Sequence, residues 1–345
     1  MISKPRRLSD VDFTPSAEVF PSPEDWRDQV IYFLLVDRFN NPDIKGKPFR
    51  EGPHEEQRDL EERKKWQGGN LRGGMEKLGY IQDLGATAVW LSPVLKNRKE
   101  SETYHGYAIQ NFLDVDSRFG TLEELRNLIQ AAHKGGMYVI LDIVVNHTGD
   151  NWYYKGYEQA SPPYRDDPYE FGGWRKKNPD KPVQWPDDAA WPEEFQNEDW
   201  YKRQGMIRDW SDRKQCLNGD FCVLKELDTP DPAVCGALID VYKWLVARTD
   251  ADGFRVDAVK HIETRFFAIF CSAIREYALS IGKRNFFIFG EVPGEDVLME
   301  SYIGPNTPSP SGEFFLGLDS VLDFPLFDVL PDVIKGFKSP KRLKE

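Results

Sequence analysis

Six short runs of apolar residues are spaced along the 345-residue chain: Val30–Val36, Ala88–Leu91, Tyr138–Val145, Gly253–Val256, Phe286–Phe289 and Val321–Phe324. None alternates apolar with polar residues. Strands that are apolar on both sides must be covered on both sides, as parallel strands flanked by helices are. Amphipathic helical patterns lie between them. One opens at Thr121 with Glu124 three residues on, a capping box, and continues through Leu125, Leu128 and Ala132. A second carries Val234, Leu238, Val241 and Leu245, a third Phe266, Phe270, Ile274 and Tyr277, and a last pattern covers Leu326–Lys338. Strand–helix repetition of this kind builds βαβ units and predicts an α/β fold.

One stretch breaks the rhythm. Residues 148–231 show little periodicity, and they hold six of the ten tryptophans, Trp152, Trp174, Trp185, Trp191, Trp200 and Trp210. A connection that long is a functional insertion or a subdomain. Most of its tryptophans are expected to form that subdomain's core, with one or two left to stack on a ligand. The expected layout is a (β/α)8-type TIM barrel, incomplete because six βα units are visible where eight are needed. Residues 1–147 supply strands one to three, 148–231 the insertion, and 232–345 strands four to six.

Composition narrows the function. The formal charge of −12 argues against holding a phosphate backbone. No apolar run reaches the ~18 residues of a membrane span. The start MISKPRRLSDVDF lacks the apolar stretch of a signal peptide, so the chain reads as cytoplasmic or as the mature form of a secreted protein. Four cysteines are too few for a disulfide scaffold. Cys216 and Cys222 could pair across a short loop or stay free.

Working residues of β/α barrels sit at the C-terminal ends of strands. Strand three ends in Asp142, Asn146 and His147, strand four in Arg255, Asp257, Lys260 and His261, and strand five in Glu291. Asp257 and Glu291 therefore project from neighbouring strand ends, with Arg255 on the same strand face as Asp257. Paired carboxylates are what glycoside hydrolysis requires, one as nucleophile or base and one as acid. A nearby arginine keeps a nucleophilic carboxylate ionised. Asp142 reads as structural, bonding backbone or an arginine. Stacking aromatics suit sugar rings.

Several motifs then agree in order. Asp142–His147 (DIVVNH), Gly253–His261 (GFRVDAVKH) and Phe289–Val292 (FGEV) resemble the first three of the four conserved regions of the α-amylase family of glycoside hydrolases. Tyr104–Thr121 is similar to that family's approach to its third strand, and CLNGDFCVLKELDTPDP to the motif closing its domain B. The resemblance covers about Asp25 to Lys338. It implies that Asp257 is the nucleophile, Glu291 the general acid/base and Arg255 the arginine orienting the nucleophile. Tyr107 would stack under the sugar, with His105 and His147 bonding its hydroxyls. Lys260 and His261 would line the leaving-group side. Asn146, Glu226 and the His261 carbonyl would hold a calcium ion between barrel and domain B, oxygen ligands that suit it. A further acidic ligand has no match at Lys214 and Gln215.

The departure is at the end. No His-Asp dipeptide follows Glu291, so the family's third catalytic carboxylate, the last two strands and a C-terminal β domain have no counterpart. The implied function is retaining cleavage of α-1,4 bonds in starch-like glucans or maltooligosaccharides, with full activity expected only once a complementing segment or chain supplies the last strands. A glucanotransferase, or a non-catalytic amylase-like binding protein, are the alternatives.

Overall fold

The computed structural model describes residues 5–43, 64–99, 103–183, 187–294, 296–304 and 317–344. Trp185 lies outside them. Six strands form one sheet, β1 (Ile31–Leu34), β2 (Ala88–Leu91), β3 (Tyr138–Ile143), β4 (Gly253–Val256), β5 (Phe287–Gly290) and β6 (Ser320–Val321). They pair in chain order and every pair is parallel. Among the described residues β1 and β6 do not pair with each other, so the sheet is a curled part of a TIM barrel. Helices α1 (Leu71–Glu76), α2 (Leu78–Asp83), α3 (Leu122–Lys134), α4 (Pro232–Thr249), α5 (Thr264–Ser280) and α6 (Phe324–Ile334) accompany it.

The helices begin where capping chemistry tells them to. Thr121 accepts from the Glu124 amide while the Glu124 carboxylate takes the Thr121 amide, which satisfies two orphan donors of α3. Asp231 caps α4 ahead of Pro232 at its first position. Leu125, Leu128, Ile129 and Ala132 of α3 then bury against the sheet.

Among the expected boundaries that shift, two do so for visible local reasons. The first strand ends at Leu34 rather than Val36, because the Val36 amide donates to Ser92 Oγ and the chain turns into a short helix, Val36–Phe39. The sixth run keeps two strand residues. Asp323 caps α6 through the Leu326 amide, with Pro325 at the start, so Phe324 belongs to the helix.

Inside the curl, Ala88, Ile140 and Phe289 pack on Trp26, which closes the N-terminal mouth and donates its indole N–H to the Asn285 carbonyl at 2.8 Å. The edge strand is less covered, with Ile31 36% and Phe33 45% exposed. The long connection from β3 to β4 carries two small antiparallel ribbons, 147–148 with 225–226 and 152–154 with 171–174.

Candidate functional site

Strand register assembles the site. Arg255 of β4 stands beside Asp142 of β3 and Phe289 of β5. Arg255, 3% exposed, is the hub. Nη1 lies 2.9 and 3.1 Å from the two Asp142 oxygens and 3.0 Å from Asp257 Oδ1. Nη2 lies 2.8 Å from Glu291 Oε2. One guanidinium thus holds three carboxylates, Asp142 being the anchor beneath the other two. Trp90 of β2 donates its indole N–H to Asp142 Oδ2 at 3.0 Å, and the Tyr107 hydroxyl donates to the same oxygen at 3.0 Å. The Trp90 contact escapes a sequence reading, because it needs strand register. Its inward position on β2 is the only signal for it.

The charge balance is uneven. Burial pushes Asp257 up to about 8, with Asp142 and Glu291 adding to the rise against Arg255. Burial likewise lifts Asp142 to about 6, while Arg255 pulls it down. Three acids around one cation keep a proton within the cluster near neutrality. Ala258, directly after Asp257, has φ +52°, a left-handed turn that lets its amide point at Glu291 Oε2, 3.4 Å away.

Tyr107 and His105 arrive on the loop after β2. Gly106 between them has φ +86°, and a Cβ there would run into the Pro93 carbonyl. Asn97 clamps this loop, donating to the Gly106 carbonyl at 3.0 Å and accepting the Ala108 amide at 2.9 Å. The His105 ring stacks against Tyr107 and its Nδ1 accepts the Tyr107 amide at 3.1 Å. His147 Nε2 meets the Tyr107 carbonyl at 3.1 Å. His261 Nδ1 meets the Cys216 carbonyl at 2.8 Å. Burial pushes His147 down to about 3 and His261 to about 4, and it lowers His105 as well. All three face the cleft as neutral rings. Lys260 lines the same cavity, of about 620 Å³, with Tyr107, Asp257 and Glu291 in its walls. The structure therefore brings all of Asp257, Glu291, Arg255, Tyr107, His105, His147, Lys260 and His261 to one cleft.

Asn146 and Glu226 meet beside it. Asn146 Nδ2 donates to Glu226 Oε2 at 2.7 Å, across the 147–148 and 225–226 ribbon. Asn146 Oδ1 and Glu226 Oε1 are buried without a hydrogen-bond partner, and burial lifts Glu226 well above the carboxylate range. Orphaned hard oxygens fit a calcium ion. Among the described residues no group of three or more His, Cys, Asp or Glu side chains is placed to hold a metal. Carbonyls and water would have to complete such a shell. Asp220, four residues past Cys216, is the buried acid that packs here. Its oxygens take the Glu226 amide at 3.1 Å and the Tyr154 hydroxyl at 2.7 Å. It was visible in the CLNGD segment but lies beyond Lys214 and Gln215. Cys216 and Cys222 are both free thiols, the first buried and the second exposed.

A parallel β/α barrel with two carboxylates on one arginine fork at its strand ends defines a glycosidase type of site. The model of the α-amylase catalytic domain matches residues 33–305. An α-amylase of Streptomyces lividans is 34% identical over 290 residues, 76% of this chain and 30% of that protein. A cyclomaltodextrin glucanotransferase of Klebsiella oxytoca is 30% identical over 323 residues, 90% of this chain and 44% of that protein. The crystal structure of the Geobacillus thermoleovorans α-amylase complexed with acarbose superposes with a TM-score of 0.63 at 32% identity, covering 89% of this chain and 54% of that one. The chain belongs to the α-amylase family of glycoside hydrolases. It spans less than half the length of these two sequence relatives.

Proposed function

We propose that this site cleaves α-1,4-glucosidic bonds of starch-like glucans with retained configuration. The observation that carries this reading is the single guanidinium shared by Asp257 and Glu291. One guanidinium holds both carboxylates at the same cleft, which suits a nucleophile and an acid acting on a single anomeric carbon. Asp257 attacks the anomeric carbon while Glu291 passes a proton to the glycosidic oxygen, whose bond to that carbon breaks. The leaving sugar departs with the proton. Glu291 then takes a proton from water, the hydroxide forms a bond to the anomeric carbon, and Asp257 is released. The cycle requires Asp257 ionised, the form that Arg255 favours against burial. Neutral His105 and His147 suit bonding to sugar hydroxyls, with Tyr107 beneath the ring.

The layout follows the same reading. Residues 1–147 and 232–345 form the barrel and 148–231 a domain B, with calcium held by Asn146, Glu226 and the His261 carbonyl. Two further βα units, bearing a third carboxylate, close the barrel for full turnover. The exposed apolar groups at both edges support this, Phe33 at 45% on β1 and Phe327 at 66% on α6.

Proton NMR of maltoheptaose digestion tests the chemistry. New reducing ends should first appear as the α-anomer. β-Anomers would overturn retention, and products longer than the substrate would move the reading to a glucanotransferase. Calcium at about 100 times its Kd should stabilise the chain by about 2.7 kcal/mol. Asn146→Ala should abolish that gain in a thermal melt.

A further inference from the structure

We propose that residues 5–16 are a clasp that holds one arm of the 148–231 insertion in place and thereby keeps His147 presented to the cleft. The effect on sugar rests on the α-glucan reading above. The ribbon that carries His147 pairs only two residues a side, His147 with Glu226 and Thr148 with Lys225. A pairing that short is marginal without support from its neighbours. Its support is the arm 191–202. The Lys202 amide donates to the Glu226 carbonyl at 3.2 Å, the Asp228 amide to the Trp200 carbonyl at 2.8 Å, and the Leu227 amide to the Asn146 carbonyl at 2.9 Å.

The clasp grips the start of that arm. Arg6 offers its carbonyl to the Glu193 amide at 2.9 Å and lays its guanidinium over the Trp191 ring, 4.6 Å from the centre. Glu194 Oε1 takes the Leu8 amide at 3.0 Å. Arg7 Nε reaches Glu193 Oε2 at 2.5 Å, an exposed pair that adds little by itself. From there the arm is stiff. Phe195 is buried, stacked on Phe112 and edge-on to Trp200, and its carbonyl takes the Tyr201 hydroxyl at 2.9 Å.

The other end of the clasp is fixed to the barrel. The Ser16 amide donates to the Ala247 carbonyl at 3.0 Å. Arg248 holds the Asp12 carboxylate at 3.1 Å and the Asp12 carbonyl at 2.8 Å, and the Tyr277 hydroxyl donates to the Phe13 carbonyl at 2.6 Å. Helices α4 and α5 thus anchor it. Between the two grips it spans a cavity of about 1250 Å³ walled by Asp12, Leu113, Trp191, Trp244 and Arg248. A gap of that size gives the arm room to shift once the grip at Leu8 opens.

Amide hydrogen exchange, read residue by residue in the full chain, tests this. Leu8→Pro deletes the amide that meets Glu194 and changes no residue of the arm, and proline suits the first position of the helical turn Leu8–Asp10. The Lys202 and Leu227 amides should then exchange about tenfold faster. The Val139 amide, bonded to Asp252 at the other mouth of the barrel, should keep its rate. Leu8→Ala, which loses the side chain and keeps the amide, should stay within about threefold of the wild type at all three amides. Calorimetric titration should show maltoheptaose held about threefold more weakly by Leu8→Pro. Unchanged exchange at Lys202 and Leu227 in Leu8→Pro, equal acceleration at Val139, or the same acceleration in Leu8→Ala would overturn the clasp. An affinity equal to that of the wild type would overturn its link to the cleft. Maltoheptaose that fails to bind the wild-type chain would overturn the α-glucan reading, with the exchange rates still deciding the clasp.

Discussion

Asp252 precedes β4 at one mouth of the barrel and Asp257 follows it at the other, and each belongs to a buried charge cluster. At the N-terminal mouth Lys283 Nζ reaches Asp252 at 2.7 Å and Asp250 at 2.8 Å. His133 reaches the same two acids at 2.8 and 3.4 Å. Burial works to lower His133, yet the two acids hold it above its ordinary value. Two carboxylates thus face Lys283 and a histidine ring whose charged form they favour. The Phe20 amide donates to Asp250 at 2.9 Å, Lys283 donates to the Phe20 carbonyl at 3.3 Å, and the Phe20 ring stacks on His133 at 4.1 Å. This cluster is balanced, closed over and tied to the N-terminal segment. Its counterpart at the C-terminal mouth has three acids to one cation and opens on a cavity. A balanced cluster fixes chain to chain. An unbalanced one retains a proton and spare acceptors, which is what a reacting substrate needs.

The contrast can be broken by substitution. In any form of the protein that turns over starch, Asp257→Asn should cut the release of reducing ends roughly 10⁴-fold or more while the fold survives. Retained turnover would remove the nucleophile assignment. At the other mouth Lys283→Met leaves two buried acids short of a partner. Urea unfolding should show a loss of about 3–5 kcal/mol, with maltoheptaose affinity unchanged. A stable Lys283→Met chain would mean the N-terminal cluster is no staple.

Acidity sharpens the difference. Asp257 is raised in the folded state, so the native chain binds the extra proton between the unfolded value near 3.8 and about 8. Stability from this group is complete below that window and falls as pH rises through it, by at most about 1.4 kcal/mol per pH unit. Thermal melts across pH 4–8 should therefore slope less in Asp257→Asn than in the wild type, and parallel slopes would contradict the unbalanced cluster. The smallest expected effect is Phe20→Ala, which removes a stacked ring from His133 and should lower unfolding stability by about 1 kcal/mol beyond the lost apolar area.

Much of this was legible from residue order. Doubly apolar runs mark covered parallel strands, and the two-residue spacing of Arg255 and Asp257 puts both on one face. The Thr121 and Glu124 pair announces the start of α3. What escaped depends on proximity that residue order does not carry. Trp90 reaches Asp142 because β2 and β3 are in register. Asp220 joins Glu226 by a turn that brings its carboxylate to the Glu226 amide. The shortness of β6 follows from the Asp323 cap, whose pull outweighs the apolar run that suggested a longer strand.

The brevity of β4 also limits how this chain can change over generations. Its four residues carry Arg255 inward, while Phe254 and Val256 are fully buried in the main core cluster. A single inserted or deleted codon ahead of Arg255 would exchange those two faces, driving the guanidinium into hydrocarbon and Phe254 into the cleft. Substitutions can accumulate around such a strand one at a time, whereas its length is inherited whole.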